Sequence, residues 1–537
     1  MNKSRERNLQ LITFALSGAV TGLSVCFSES IGALVFISMV PALLLLLSLL
    51  DRGTISLKAV YGYGLVYYEC FFAVCFHWFA YMYPMTFTGI DNFTSVLVIL
   101  VAILGLSLLQ ALGSALTFLF AAALVKMRAA SHIKEAGMFL FPAAYTAAEF
   151  LQTFGWWGVP WGRLSLGAAY DSALLGSASF FGSYFITYTI VIVNLGIAFT
   201  IYFAKKRNVK FAKLLAGVAI FAFSFNLVLG TFSHGIASRK YESSEKITVA
   251  AIQGNYSSTA VSKPSGDKIV STYIELSEKA AAEGAKFILW PESALNFVVE
   301  TNDYIAYRIA ALAKRCGVYV MVGTLTRDDE GELYNCMFLA TPDGDFSETV
   351  YYKRHLVPFG EYVPMRDLIC TLLPFLEDVR LLNEDMVPGD GTEIYDIPQI
   401  GKVGAIICFD SIYESLSRDT VLDGAEFLAL GTNDSWFSDS AAIYMHNNQA
   451  RLRAIEFGRC VLRAANTGTS TVITPAGDVL GYTEPLIETY IMGEISLSSD
   501  RTLYSYIGNL FAYCCLASCF SGLCLIMITK QRKKTNG

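Results

Sequence analysis

The chain has 537 residues, 54% hydrophobic and only 16% charged, with a mean hydropathy of +0.46. Soluble domains carry about 25% charged residues, so composition argues against a purely soluble protein, and the 13% aromatic content excludes a disordered one. The 40 basic and 46 acidic side chains leave a net charge of −6, with no basic excess to suggest a nucleic-acid partner.

Crossing a hydrocarbon core of ~30 Å takes ~20 apolar residues. Seven such runs precede residue 235, at about 8–26, 31–50, 57–80, 93–125, 136–153, 173–203 and 211–233, and another closes the chain at about 506–529. The expected organisation is therefore a membrane domain with seven transmembrane helices over 1–240, a globular domain over 245–500, and a C-terminal transmembrane helix over 506–529. With the N-terminus in the cytoplasm, seventeen Lys and Arg fall on inside segments, whereas the short outside loops (28–30, 81–92, 154–172) hold only Arg163. That asymmetry obeys the positive-inside rule and puts the globular domain outside the cytoplasm, with both termini inside. The first run carries Lys3, Arg5 and Arg7 but no small-residue cleavage site, so it reads as an anchor.

In the globular stretch, short β-rich runs at 247–253, 287–290, 318–323, 334–340, 403–408 and 427–430 alternate with helical spacing at 268–283, 304–316 and 445–458. Interleaved strands and helices predict a layered α/β domain. The chain contains neither GxGxxG nor a Walker A motif, so nucleotide binding has no support. Its twelve cysteines form no CxxC pair with matching ligands, and neither a metal nor a cofactor is expected.

Three segments share one layout, an apolar strand running into a reactive side chain: 287–292 ending at Glu292, 350–353 ending at Lys353, and 403–410 with Cys408. Such groups converge at strand ends, where sites in α/β sheets lie. A cysteine nucleophile needs a base and a partner for developing charge; Glu292 suits the first role and Lys353 the second. Taken singly, Cys408 fits simple packing, Glu292 a helix cap and Lys353 a solvated strand end. Their joint appearance and order carry the catalytic reading.

Trp290-Pro291-Glu292-Ser293, Tyr352-Lys353-Arg354-His355 and Cys408-Phe409-Asp410 resemble the Glu–Lys–Cys motifs of the nitrilase superfamily. The run HLVPFGEYVP at 355–364 resembles apolipoprotein N-acyltransferases more than soluble nitrilases. Further matches are Gln253-Gly254-Asn255, Asn433-Asp434-Ser435-Trp436-Phe437, Gln449-Ala450-Arg451-Leu452-Arg453-Ala454, Arg463 and Asn466-Thr467-Gly468. In the membrane part, His77-Trp78 and Gly158-Val159-Pro160-Trp161 also match.

The resemblance implies a multi-pass α-helical membrane domain plus an extracytoplasmic α/β nitrilase-like domain, an αββα sandwich. It implies ping-pong acyl transfer: Cys408, activated by Glu292, takes an acyl chain from a phospholipid, typically phosphatidylethanolamine, as a thioester. Lys353 stabilises the oxyanion, and Glu361 supports the lysine and the nucleophile. The acceptor is the α-amine of the diacylglyceryl-cysteine on an apolipoprotein. The implied setting is a monomer in the bacterial inner membrane, with its catalytic domain periplasmic and no nucleic-acid partner.

Phe409 and Asp410 stand where the family usually has Tyr and Glu, and both changes bear on donor preference. With Trp436 they are candidate substrate-binding residues. Some soluble nitrilase-like amidases carry Cys-Tyr-Asp, so a membrane-tethered amidase or carbamoylase that gives the acyl group to water is the alternative. A non-catalytic scaffold is a third reading, against which the intact Glu292, Lys353 and Cys408 argue. His355 and His446 are expected to be structural. Glu149 is an intramembrane acid that either functions or pairs near the interface. Trp156, Trp157 and Trp161 form an expected interfacial aromatic cluster, and 358–383 or 436–444 would supply a lid.

Overall fold

The computed structural model describes residues 3–127, 134–257, 264–299, 303–372 and 384–535. It divides into two compact units, one of 1–77, 100–233 and 507–537, the other of 78–99 and 234–506.

The first unit is helical. Among the described residues, six helical segments are long and apolar enough to cross a membrane: Ser4–Cys26, Ser28–Asp51, Asn92–Met127, Ser183–Lys205, Val209–Ser243 and Leu510–Thr529. The apolar runs at 57–80 and 136–153 fold around the shorter helices Leu57–Cys75 and Phe141–Leu151. Helices Lys3–Cys26 and Leu57–Cys75 pack through glycine. A Cβ at Gly18 would lie 2.0 Å from the Tyr67 carbonyl oxygen, and one at Gly22 2.8 Å from that of Phe71. Small residues four apart let the two backbones touch, which is how helices associate where no hydrophobic force separates them from lipid. Arg163 is buried in this unit, with Nη1 3.2 Å from Ser183 Oγ and the guanidinium 5.1 Å from the Tyr184 ring centre.

The second unit is a two-sheet sandwich with helices on both outer faces. Its strands are β1 (Lys246–Gln253), β2 (Phe287–Leu289), β3 (Leu295–Val298), β4 (Tyr319–Arg327), β5 (Leu333–Ala340) and β6 (Phe346–Tyr352), then β7 (Ile394–Ile397), β8 (Gly401–Ile407), β9 (Phe427–Thr432), β10 (Val461–Ala465), β11 (Thr471–Ile473), β12 (Val479–Tyr482) and β13 (Thr489–Ser496). One sheet runs β13-β1-β2-β4-β5-β6 with β3 against β4, and the other β12-β11-β10-β9-β8-β7. Parallel pairs β1–β2–β4 and β8–β9–β10 form the two centres.

Strand periodicity explains the layers. Val249 and Ala251 of β1 and Phe427 and Ala429 of β9 point into the core between the sheets. Their neighbours Ala250 and Ile252 face helices Gly266–Ala282 and Tyr304–Cys316, while Leu428 and Leu430 face helices Glu414–Leu422 and Ala441–Phe457. Both sheets are buried on two faces, so their central strands read as continuous apolar runs. The expected αββα arrangement is the one observed. Strands β3, β7 and β10–β13 were not expected. Most of them are short, and β10 carries Arg463 in an otherwise apolar run. The helix expected at 445–458 starts earlier, at Ala441, because Ser440 caps it, its hydroxyl accepting from the Ala442 N–H at 3.3 Å.

Candidate active site

Glu292 follows β2 and Lys353 follows β6, both at the carboxyl ends of their strands, while Cys408 ends β8 in the opposite sheet. Two glycines let the Glu292 turn pass between the sheets. A Cβ at Gly323 would stand 2.3 Å from the Pro291 carbonyl oxygen, and one at Gly431 3.0 Å from the Glu292 nitrogen.

Lys353 Nζ lies 2.8 Å from Glu292 Oε1 and 2.9 Å from the Glu361 carboxylate. Asn335 Nδ2 donates to the same Oε1 of Glu292 and to Glu361 Oε1, each at 2.8 Å. The remaining carboxylate oxygens accept backbone N–H groups: Glu292 Oε2 that of Asn433 at 2.9 Å, Glu361 Oε2 that of Val357 at 2.8 Å. All of these charges are taken from water, and Lys353 is only 1% exposed. Burial disfavours its ammonium, but the carboxylates of Glu292 and Glu361 outweigh burial and hold its pKa well above the ordinary value.

Cys408 has a positive φ of 45°, a conformation that costs a side-chain-bearing residue about 1–3 kcal/mol. Ser293, next to Glu292, has φ 48°. Burial and then the Glu292 charge push the Cys408 thiol well above its usual pKa, with Lys353 pulling the other way. Cys408 is therefore held as a thiol in the field of the Glu292 carboxylate. Such a set suits proton transfer at the moment of attack rather than a standing thiolate.

Asp410 sits two residues beyond the cysteine and is fully buried. Oδ2 accepts the Tyr351 hydroxyl at 2.8 Å and the Ile407 N–H at 3.2 Å, and Oδ1 accepts the His355 N–H at 2.8 Å. Burial pushes its pKa up to about 6, against Lys353 and these hydrogen bonds. Asp410 thus ties β6 and the 353–355 turn to the cysteine turn. Phe409 packs in an aromatic group, 5.4 Å from Tyr413 and 5.7 Å from His355 by ring centres. His355 and Tyr413 stack at 3.8 Å. Trp436 is half-buried, its ring 5.8 Å from Phe87, and Trp78 meets Phe437 edge-on at 4.8 Å.

The structure thus brings together Glu292, Lys353, Glu361, Cys408 and Asp410. Glu149 lies in the helical unit, buried, with Oε1 accepting the Leu164 N–H at 2.7 Å. Trp156 and Trp157 stand 5.6 Å apart, Trp157 exposed, whereas Trp161 is buried. The stretch 373–383 of the first lid candidate lies outside the described residues. Sequence reasoning missed Asn335 and Tyr351, and it named Asp434, His446 and Arg463 without foreseeing that they meet at Cys408. Asn335, a polar residue inside the apolar strand β5, carried the only local signal.

Residues 248–503 match the carbon-nitrogen hydrolase family, and residues 17–196 match the apolipoprotein N-acyltransferase N-terminal domain. The protein therefore combines a carbon-nitrogen hydrolase domain with an apolar helical unit. The apolipoprotein N-acyltransferase of Geobacter metallireducens is 32% identical over 385 residues, covering 70% of this chain and 72% of that protein. That of Gloeobacter violaceus is 28% identical over 501 residues, covering 92% and 89%. A solved structure of Saccharomyces cerevisiae Nit3, of branch 10 of the nitrilase superfamily, covers 49% of this chain and 93% of that one at 18% identity and a TM-score of 0.38. The chain belongs to the apolipoprotein N-acyltransferase family.

Proposed function

We propose that this protein transfers an acyl chain from a membrane phospholipid, through a thioester on Cys408, to the α-amine of the diacylglyceryl-cysteine at the N-terminus of an apolipoprotein. The observation that carries the reading is the buried set of Lys353 between Glu292 and Glu361, with Cys408 on a left-handed turn within the field of both Glu292 and Lys353. In the first half-reaction Cys408 Sγ attacks the ester carbonyl while Glu292 takes its proton. Lys353 faces the oxyanion, the ester C–O bond breaks, and the proton passes to the departing lysophospholipid oxygen. In the second, the amine attacks the thioester, gives its proton to Glu292, and the amide forms as Cys408 leaves and is reprotonated. Glu361 and Asn335 hold Lys353 and Glu292 in register. Phe409 and Trp436 face the substrate in this reading, and Asp410 bears on substrate binding by fixing the cysteine turn.

Phosphatidylethanolamine is the proposed donor, and the protein works as a monomer. Its membrane domain crosses the inner membrane seven times before residue 240 and once more at 506–529, with both termini cytoplasmic and the catalytic domain periplasmic. Six long apolar helices and the charge asymmetry of the loops support that arrangement. Donor and acceptor are both lipid-anchored, so a membrane-held site gains from proximity. The names of the curated relatives support transfer to an amine over the amidase alternative.

The test is mass spectrometry of the purified protein with phosphatidylethanolamine, with Cys408→Ala as control. The expected result is a hydroxylamine-labile acyl mass on Cys408 that disappears on addition of diacylglyceryl-peptide as triacylated peptide appears. Hydrolysis of small amides through Cys408, with no lipid adduct, would overturn it.

A further inference from the structure

A second charged cluster, Asp434, His446 and Arg463, lies against the backbone of Cys408. His446, inside helix Ala441–Phe457, is 1% exposed. Its Nδ1 stands 2.9 Å from Asp434 Oδ1, and its Nε2 stands 3.3 Å from the carbonyl oxygen of Cys408 and 3.1 Å from Ser411 Oγ. Ser411 donates its proton to that same carbonyl at 2.7 Å. Asp434 also accepts from Arg463 Nη2 at 2.6 Å and from the Thr432 hydroxyl at 3.0 Å.

Proton counting fixes the role of Nε2. The carbonyl of Cys408 is an acceptor only, and the one proton of Ser411 is already directed to it, so Nε2 serves both oxygens as a donor. Nδ1 faces Asp434 Oδ1 and lies 3.4 Å from Arg463 Nη2. Burial works against the Asp434 charge, yet Arg463 and then His446 hold its carboxyl well below the usual range. Two donors, Ser411 Oγ and His446 Nε2, therefore converge on the peptide of the residue whose backbone sits at φ 45°.

We propose that His446, held by Asp434 and Arg463, is a positioning residue that clamps the Cys408 carbonyl, keeps the nucleophile in its left-handed conformation and so aims Sγ at the reacting ester. The proposal rests on Cys408 being the acyl-accepting nucleophile. His446 touches neither substrate nor thiol in this role; it acts through the backbone of Cys408. The two-donor clamp keeps a side-chain-bearing residue where glycine is otherwise preferred.

The test compares two substitutions in the full-length membrane protein. His446→Gln carries an amide nitrogen near the position of Nε2, whereas the shorter His446→Asn reaches only the Asp434 side. Thioester formation from phosphatidylethanolamine is followed for each, with donor KM and thermal unfolding measured alongside. Wild-type thioester formation in the same assay tests the nucleophile itself, so a failure there is separate from a failure here. The expected result is that His446→Gln retains kcat within about threefold while His446→Asn loses more than about tenfold, with donor KM little changed in both. Equal activity of the two, or the better activity for His446→Asn that a role confined to Asp434 demands, overturns the proposal. If His446→Asn does not accumulate as folded protein, Ser411→Ala in the His446→Gln background is measured instead. Loss of the second donor is expected to lower kcat by a further about tenfold, and an unaltered kcat overturns the clamp.

Discussion

Glu292 and Lys353 enter the site from the first sheet as a set of opposite charges that satisfy one another, with Glu361 and Asn335 closing the arrangement. Cys408 and Asp410 enter from the second sheet, where the notable quantity is backbone shape: a positive φ at the cysteine, and a carboxylate that binds two N–H groups and a tyrosine. One half of the sandwich carries charge to the site, and the other holds a geometry. Substitutions in the first half should therefore strike chemistry, and substitutions behind the second should strike alignment and stability.

The largest expected effects separate these two. Cys408→Ala should abolish thioester formation, and Glu292→Gln should lower its rate by about 10²–10⁴-fold, as loss of a general base does; single-turnover mass spectrometry reads both. Next come the buried ion pairs. Lys353→Met leaves two carboxylates at Asn335, and Arg463→Met leaves Asp434 with His446 and the Thr432 hydroxyl but without its guanidinium, so each should lose about 3–5 kcal/mol of stability in a thermal or denaturant melt. Only Lys353→Met should also remove the proposed oxyanion partner. If the two variants lose turnover equally at equal stability, the division between the sheets fails.

A smaller effect sharpens the comparison through pH. Burial raises the Asp410 carboxyl from 3.8 to about 6, so it contributes stability that is full below about pH 3.8 and lost as pH rises through about 6. His355 moves the opposite way: burial, then Lys353, lower it from 6.5 to about 4, so its contribution is present above about pH 6.5 and lost as pH falls through about 4. The two oppose each other across nearly the same window. Unfolding measured between pH 4 and 6.5 should show Asp410→Asn making stability rise more steeply with pH, and His355→Gln making it rise less. The smallest effect is expected at Trp436→Leu, which removes the ring facing Phe87 at 5.8 Å; it should raise donor KM with kcat held, at a cost to stability of about 0.5–1.5 kcal/mol.

Glu292, Lys353 and Cys408 were legible in the sequence because each ends an apolar strand, and a charged or nucleophilic group there breaks a local pattern. The sandwich was legible for the same reason: its central strands are continuous apolar runs. Asn335 was hidden because its two carboxylate partners lie 43 and 26 residues away. The members of the cluster at Cys408 were each singled out in the sequence, but nothing local showed that they meet. Asp434, His446 and Arg463 come from a turn, a helix and a strand, and only the folding of β9 against β10 brings them together.

The protonated resting state of Cys408 has a chemical consequence of its own. Oxidants and alkylating reagents attack thiolates far faster than thiols, so a cysteine kept protonated by burial and by the Glu292 charge is a poor target for them. On the proposed mechanism its nucleophilicity appears only while a base and an acyl carbonyl are aligned with it. The environment that makes the sulfur slow toward adventitious reagents thereby also gives it chemical durability between turnovers.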